Sequence, residues 1–547
     1  MPATKLIISK HWLQKINWQL LVFLIFFLNV KMVVKIAAII LILFFNRRLF
    51  IQKNIFRQNL TWFYCSLIVI GILNLLLNLN SLSFNYLLVA VTGFFFWLLC
   101  IAAALLNTWF VEKTETGILH NTISLFFIMN AIMTFIQLIL IMLDAGTINP
   151  FTFQGNYQEY FMGTGDKLMG ISYDTSTTNA LINSFAVIYF VKRSKFFPAL
   201  VCMAAMLLTA SNFTYVIFTI ALVYLFIFQS ERIQKSVLMI FPFMMLVFLV
   251  KVSPQNGEYV TDFYKRVFNI DSKQRVSPEN ILLLKQKPDE LLNDKEQKQK
   301  TAMLYLDSVY NAGLLKNKNT QAADLLAYNK PVIPRPDIDA IQYQRKSVTS
   351  QLQKKLIAFA EKNYVSFDTN LQAAKKHKLP GKLMAVHQTI QFLKQHPLKI
   401  FSGAGMGNFA SKLAFRATGF GVAGGYPSKY IYINNDFKDN HLELYLYYFS
   451  KDMELHSLLN TPDSIYDQLL AEYGLAGILA FLFLYIGFFI RHRKKISYSI
   501  PLLIILLCAF ATGYWFEQLS VVVLFELLFF ADMKTNSFSY WKKEDLL

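Results

Sequence analysis

Residues 466–490 read Tyr466-Asp-Gln-Leu-Leu-Ala-Glu472-Tyr-Gly474-Leu-Ala-Gly477-Ile-Leu-Ala-Phe-Leu-Phe-Leu-Tyr-Ile-Gly-Phe-Phe-Ile490, and Arg491, Arg493, Lys494 and Lys495 follow at once. An apolar run of this length covers the roughly 30 Å hydrocarbon core of a bilayer as a helix. The basic cluster at its end is the mark of a cytoplasmic loop. Similar apolar runs lie near 17–30, 32–46, 61–80, 86–107, 119–144, 178–192, 197–210, 213–229, 236–252, 498–515 and 518–532. With 466–490 they make twelve expected transmembrane helices. The predicted fold class is therefore an all-α polytopic membrane protein.

The charges give the orientation. With the N-terminus inside, the cytoplasmic loops hold Arg47, Arg48, Lys53 and Arg57, then Lys113, then Lys192, Arg193 and Lys195, then Arg232 and Lys235, then the cluster after Ile490. The tail adds Lys534, Lys542 and Lys543, and the outside loops around Asn78–Asn85 and Ser211–Asn212 carry no charge. Lys31, in the first outside turn, is the exception. The bias toward positive charge inside is met with both termini cytoplasmic. The N-terminus has signal-peptide features, Lys5, Lys10 and Lys15 ahead of Trp18–Val30, but no clear small-residue cleavage site. It reads as an uncleaved first helix.

Composition agrees. Of 547 residues, 55% are hydrophobic and only 16% charged, against about a quarter charged in soluble proteins. That excludes a cytosolic enzyme, a disordered scaffold and a small disulfide-stapled domain. Cys65, Cys100, Cys202 and Cys508 all lie in apolar stretches, so neither a disulfide framework nor a Cys-based zinc site is expected.

Residues 253–465 interrupt the pattern as a polar insert between the ninth and tenth spans. The chain thus divides into 1–252 with nine spans, 253–465 as an outer, periplasmic loop domain, and 466–547 with three spans and a cytoplasmic tail. The insert carries 29 Lys and Arg against 20 Asp and Glu. Long loops are exempt from the orientation rule, so its basicity asks for another cause. Ile341–Asn363 and Lys382–His396 show helical spacing, Pro397 ends the second, and Pro331, Pro334 and Pro336 mark a linker.

Four constellations offer chemistry. Gly403, Gly405 and Gly407 with Asn408 and Phe409 form a Gly-rich turn; no Lys-Ser/Thr follows and no βαβ unit surrounds it, so it is not a nucleotide loop. Its plain reading is a tight turn at the membrane surface. Glu472 stands at the outer end of an apolar helix, where an ionisable group is a functional suspect, or else an ion-pair partner for a basic loop. Asn434–Phe449 combines Asp439, Asn440, His441 and Glu443 with tyrosines; His441 is either a general base or a structural histidine. Gly163–Asn179 carries Lys167, either a phosphate ligand or a solvated lysine.

Together these pieces resemble the O-antigen ligase and O-antigen polymerase superfamily. The resemblance rests on the span pattern with one large late outer loop, on Lys382, His387, Pro397 and Gly403–Phe409 as basic residue, aromatic, Pro and G-x-G-x-G-x-F, and on Leu470–Gly477 as L-x-E-x-G-L-x-G. The segment Lys167-Leu-Met-Gly170 to Asn179 is similar to the family's basic-plus-Gly loop, and Thr209-Ala-Ser211-Asn212 to its Ser-Arg turn. The sequence departs from the family in having Lys at Lys167 and Lys382 where Arg is usual. The family's His-Asn pair falls on Asp463-Ser464, the nearest histidines being His441 and His456.

The resemblance implies glycosyl transfer on the outer face of a bacterial inner membrane. The donor would be a polyprenyl-diphosphate-linked oligosaccharide. The acceptor would be another glycan or a lipid A core, and other glycan-assembly membrane proteins are candidate partners. No metal, cofactor or nucleic acid is implied. A departing diphosphate needs cations: Lys167, Lys382, Arg416 and Lys429 are the clamp candidates. His441, Asp463 and Glu472 are the candidates for the group that takes the acceptor's proton. Two competing readings are a polysaccharide transporter or flippase, and a catalytically inactive assembly protein. A carrier is expected to have paired halves and charges buried mid-span, and the spans here hold little charge beyond Lys35 and Glu526.

Overall fold

A computed structural model describes residues 15–29, 31–45, 59–77, 83–152, 164–254, 288, 381–419, 425–442, 444 and 461–544. Among the described residues every regular element is helical. Most of the insert, including the expected helix at Ile341–Asn363 and the proline linker, lies outside them. In chain order the helices are α1 (Trp18–Phe27), α2 (Met32–Phe45), α3 (Asn59–Leu77), α4 (Phe84–Lys113), α5 (Thr116–Ala145), α6 (Ser176–Lys192), α7 (Phe196–Leu208), α8 (Asn212–Tyr224) and α9 (Arg232–Val247). After the insert's first part come α10 (Gly381–Gln395), α11 (Lys399–Ser402), α12 (Lys412–Ala417) and α13 (Asn435–Asn440). The C-terminal third holds α14 (Ile465–Ala480), α15 (Ser499–Ala509), α16 (Trp515–Gln518) and α17 (Ser520–Glu544).

Each expected span falls on one of these helices. Among the described residues six stretches are long and apolar enough to cross a membrane: Leu60–Leu77, Phe84–Lys113, Thr116–Ala145, Asn212–Gln229, Arg232–Val252 and Ile465–Lys495. The last three include turns wound more loosely than an α-helix, at Leu225–Gln229, Phe248–Val252 and Phe481–Ile486. The apolar helices α1, α2, α7 and α15 are shorter.

Two elements form the centre. Every residue of α6 from Thr178 to Val191 is buried, as is α17 from Val521 to Ala531. The outer helices bury one face and leave the other apolar and exposed: Leu73, Leu76 and Leu77 on α3, Leu140 and Leu143 on α5, Phe243 and Leu246 on α9. A surface of this kind is a liability in water and suits lipid.

Several buried polar groups are paired across the bundle, as a dry interior favours. Tyr64 of α3 donates to Glu526 of α17, and Lys35 of α2 donates to the Gln518 carbonyl. Asp532 of α17 accepts from the backbone N–H of Ser497, Tyr498 and Ser499 at 2.9–3.0 Å, and from both serine hydroxyls. It thereby caps the start of α15 from a neighbouring helix.

Candidate functional site

The site begins where α14 breaks. Gly474 has φ 64° and ψ −160° inside an otherwise helical segment. In that conformation, which is open essentially to glycine alone, the helix turns aside and exposes the Ala471 and Glu472 carbonyls. The Gly-rich turn fills the gap. Ala404 N–H donates to the Ala471 carbonyl at 2.8 Å, and Gly405 N–H to the Glu472 carbonyl at 3.0 Å. The approach is backbone to backbone: a Cβ on Gly474 would stand 2.6 Å from the Phe401 carbonyl carbon, and one on Gly403 would stand 2.3 Å from that of Glu472. Gly403, Gly405 and Gly407 all have positive φ, at 75°, 93° and 69°.

The same turn anchors itself elsewhere. Met406 seats against Gly71 of α3 and Gly93 of α4, where a Cβ would meet its side chain at 2.5 and 3.1 Å. Asn408 donates to the Tyr86 hydroxyl and the Ala404 carbonyl, each at 2.9 Å, and accepts from Tyr432. Phe409 lies between Phe392 of α10, at 4.6 Å, and His441, at 5.2 Å.

Glu472 is buried in this assembly. Its Oε1 accepts from the Phe409 N–H at 3.3 Å, and the Gly407 N–H and Ser411 hydroxyl lie close to the carboxylate. Beside it a narrow cleft runs between α4 and the turn, lined by Gly93, Phe96, Trp97, Met406, Leu413, Gln468, Tyr473, Phe516 and Glu517 in addition to Glu472. The indole N–H of Trp97 donates to the Tyr473 hydroxyl at 2.6 Å, which fixes the aromatic wall.

Cations stand at one side. Lys412 and Arg416 occupy the same face of α12, four residues apart. Burial, then the charge of Arg416, holds the Lys412 ammonium below its usual range, against the pull of Asp174, Glu517 and Asp463. Lys35 of α2 feels both Lys412 and Arg416. The Arg416 Nε is buried and has no hydrogen-bond partner among the described residues.

A second polar group surrounds α10. Lys382 donates to the Asp463 carbonyl and to the Thr461 hydroxyl, the latter at 3.1 Å. Burial lowers its pKa to about 8, opposed by Asp463 and Asp467. Burial also raises the Asp463 carboxyl, opposed by Lys382 and Lys412. His441 Nε2 lies 3.7 Å from Asp467 Oδ2, both side chains fully buried. Burial brings His441 down to about 3, so the ring is neutral at ordinary pH.

The expected site residues therefore fall into groups. Glu472 meets Gly403, Gly405 and Gly407. Lys382 and Asp463 share one corner, with His441 near by through Asp467. Arg416 sits with Lys412, close enough for both charges to act on Glu517. Lys167 belongs to a separate turn, Thr164–Lys167; the following loop is pinned by Gly170 N–H to Gln137 at 2.9 Å and Ile171 N–H to Asn130 at 3.0 Å. Lys429 is exposed, with its ammonium over the Tyr430 ring at 5.7 Å. Sequence reasoning passed over Lys412, Gln468 and Glu517. The i, i+4 basic pair behind the Ser411 cap was a readable sign for Lys412; Glu517, in a short link between apolar runs, gave none. Among the described residues no group of three His, Cys, Asp or Glu side chains is placed to hold a metal. Comparison of the chain with protein-family models, with curated proteins and with solved structures finds no match.

Proposed function

We propose that this chain is a membrane glycosyltransferase of the O-antigen ligase and polymerase type, metal-independent and without a cofactor. It transfers a polyprenyl-diphosphate-linked oligosaccharide to a glycan or lipid A-core acceptor on the periplasmic face of a bacterial inner membrane. Its frame is about twelve crossings with both termini cytoplasmic and residues 253–465 outside. One observation supports this reading above the others. The two motifs that carry the resemblance, Gly403–Phe409 and Leu470–Gly477, lie far apart in sequence yet clasp each other backbone to backbone, and Lys412 and Arg416 stand beside the clasp. A cation pair next to a buried carboxylate is what a reaction with a diphosphate leaving group needs.

Deleting the gene and resolving surface glycan on a gel tests the reading. Loss of the polymer ladder identifies a polymerase, and lipid-linked polymer left unattached identifies a ligase. Precursor trapped on the inner face points to a transporter instead, and an unchanged glycan profile refutes the proposal.

A further inference from the structure

Two carboxylates line the cleft, and they differ in what already holds them. The Glu472 carboxylate is taken up by the turn: the Phe409 N–H donates to it, and the Gly407 N–H and the Ser411 hydroxyl lie close to it. Its acceptor capacity serves the fold. Glu517 is 8% exposed, and its Oε1 accepts from Gln468 Nε2 at 2.5 Å, with the Leu413 N–H also acting on the carboxylate. Glu517 Oε2 and Gln468 Oε1 are buried and have no hydrogen-bond partner among the described residues. A buried carboxylate oxygen without a donor is costly, so this oxygen is open to a hydroxyl that reaches it. Arg416 and Lys412 lie close enough for their charges to act on Glu517.

We infer that Glu517 is the catalytic carboxylate that receives the proton of the acceptor hydroxyl, while Glu472 holds the Gly-rich turn in place. This rests on the proposed function. In the step, the acceptor O–H bond breaks and its proton passes to Glu517 Oε2. The acceptor oxygen bonds to the donor's anomeric carbon. The bond from that carbon to the diphosphate oxygen breaks, and its electron pair leaves with the diphosphate, whose growing charge faces Lys412 and Arg416.

The test uses the full chain in a strain deleted for the gene, with surface polymer measured at matched membrane protein levels. Glu517→Gln lowers output by roughly 10²–10⁴-fold, the usual contribution of a general base, and leaves the melting midpoint of the purified protein near that of the wild type. Glu517→Asp retains part of the output, because the carboxylate is kept. Glu472→Gln instead lowers the melting midpoint. A hydrophobic carbodiimide followed by mass spectrometry reads accessibility independently: Glu517 is modified and Glu472 is protected. Normal output from Glu517→Gln in a strain whose deletion abolishes the ladder overturns this inference alone. So does modification of Glu472 with Glu517 untouched. A deletion that leaves surface glycan unchanged removes the proposed function, and the catalytic role falls with it.

Discussion

Gly474→Ala tests the clasp at the heart of the site. The position has φ 64° and ψ −160°, a region in which a residue with a side chain costs about 1–3 kcal/mol. The new Cβ would also stand 2.6 Å from the Phe401 carbonyl carbon and oxygen and 2.7 Å from the Gly403 nitrogen. These are backbone atoms, so no side chain can swing away, and overpacking of this kind costs about 1–3 kcal/mol more. The combined penalty is about 2–6 kcal/mol, comparable to much of a folded protein's net stability. Relief requires the turn to lift, which breaks the bonds from Ala404 N–H to Ala471 and from Gly405 N–H to Glu472. Gly117→Ala is the control: a Cβ there meets nothing within 4 Å, and alanine in a helix is favoured by up to about 1 kcal/mol. Thermal unfolding of the two purified variants in detergent, followed by tryptophan fluorescence, is expected to show a large drop for Gly474→Ala and none for Gly117→Ala. Equal melting of both variants and the wild type would refute the backbone-to-backbone packing.

Four further outcomes follow from the same geometry. Lys382, brought down to about 8 by burial against Asp463 and Asp467, loses its positive charge as pH rises through that value; turnover of a lipid-linked donor should decline there, and Lys382→Arg, charged at all working pH, should abolish the decline. Because His441 is held at about 3, it should contribute no acid limb near the usual histidine value of about 6.5, and His441→Ala should leave the acid side of the pH profile unmoved; loss of a limb near that value in His441→Ala contradicts the burial. Asp532→Ala leaves the amides of Ser497, Tyr498 and Ser499 without their acceptor and should cost about 1–3 kcal/mol for each buried donor left unsatisfied, seen as a lowered melting midpoint or loss of membrane-inserted protein. Reporter fusions at Gln299 and at the C-terminus should report outside and inside respectively; a cytoplasmic signal at Gln299 sinks the orientation and the reading built on it.

The helices were legible because their cause is local. An apolar run such as Phe84–Lys113 must close its own backbone hydrogen bonds in a bilayer, whatever it packs against, so length and hydropathy suffice. The helix over Gly381–Gln395 was legible for the same reason, from spacing and a stopping proline. What escaped the sequence depends on distant partners. Gly474 sits in a run that reads as unbroken helix, and only the arrival of Phe401 and Gly403 fixes its backbone. Glu517 lies between two apolar runs and reads as a surface residue; the packing of α4, α14 and the turn buries it. Lys167 was singled out for its charge beside a Gly, yet charge and spacing carry no information about which face of the bundle a loop reaches. Glu472 was recognisable as a costly group, whereas the donor that occupies it, the Phe409 N–H, belongs to another segment.

Hydrogen-bond accounting explains why the two motifs occur as a pair. Within an intact helix the Ala471 and Glu472 carbonyls would accept from the next turn; the break at Gly474 removes those donors in an apolar setting, where unsatisfied groups cost several kcal/mol. The Gly-rich turn supplies replacements through Ala404 and Gly405 N–H, and its Phe409 amide closes on the Glu472 side chain. Ser411 then caps α12 by accepting from Ala414 N–H at 2.9 Å, two residues on from that amide. Lys412 and Arg416 therefore start from a helix end that is tied to the broken span itself. The positions of the cations relative to the cleft are set by backbone bonds rather than by flexible side-chain contacts. Electrostatic stabilisation of a leaving group demands preorganisation of this kind, because a cation that must first move into place contributes far less. A substitution that frees the turn, such as Gly403→Ala or Gly474→Ala, should thus disorder the cation pair even though it touches no charge.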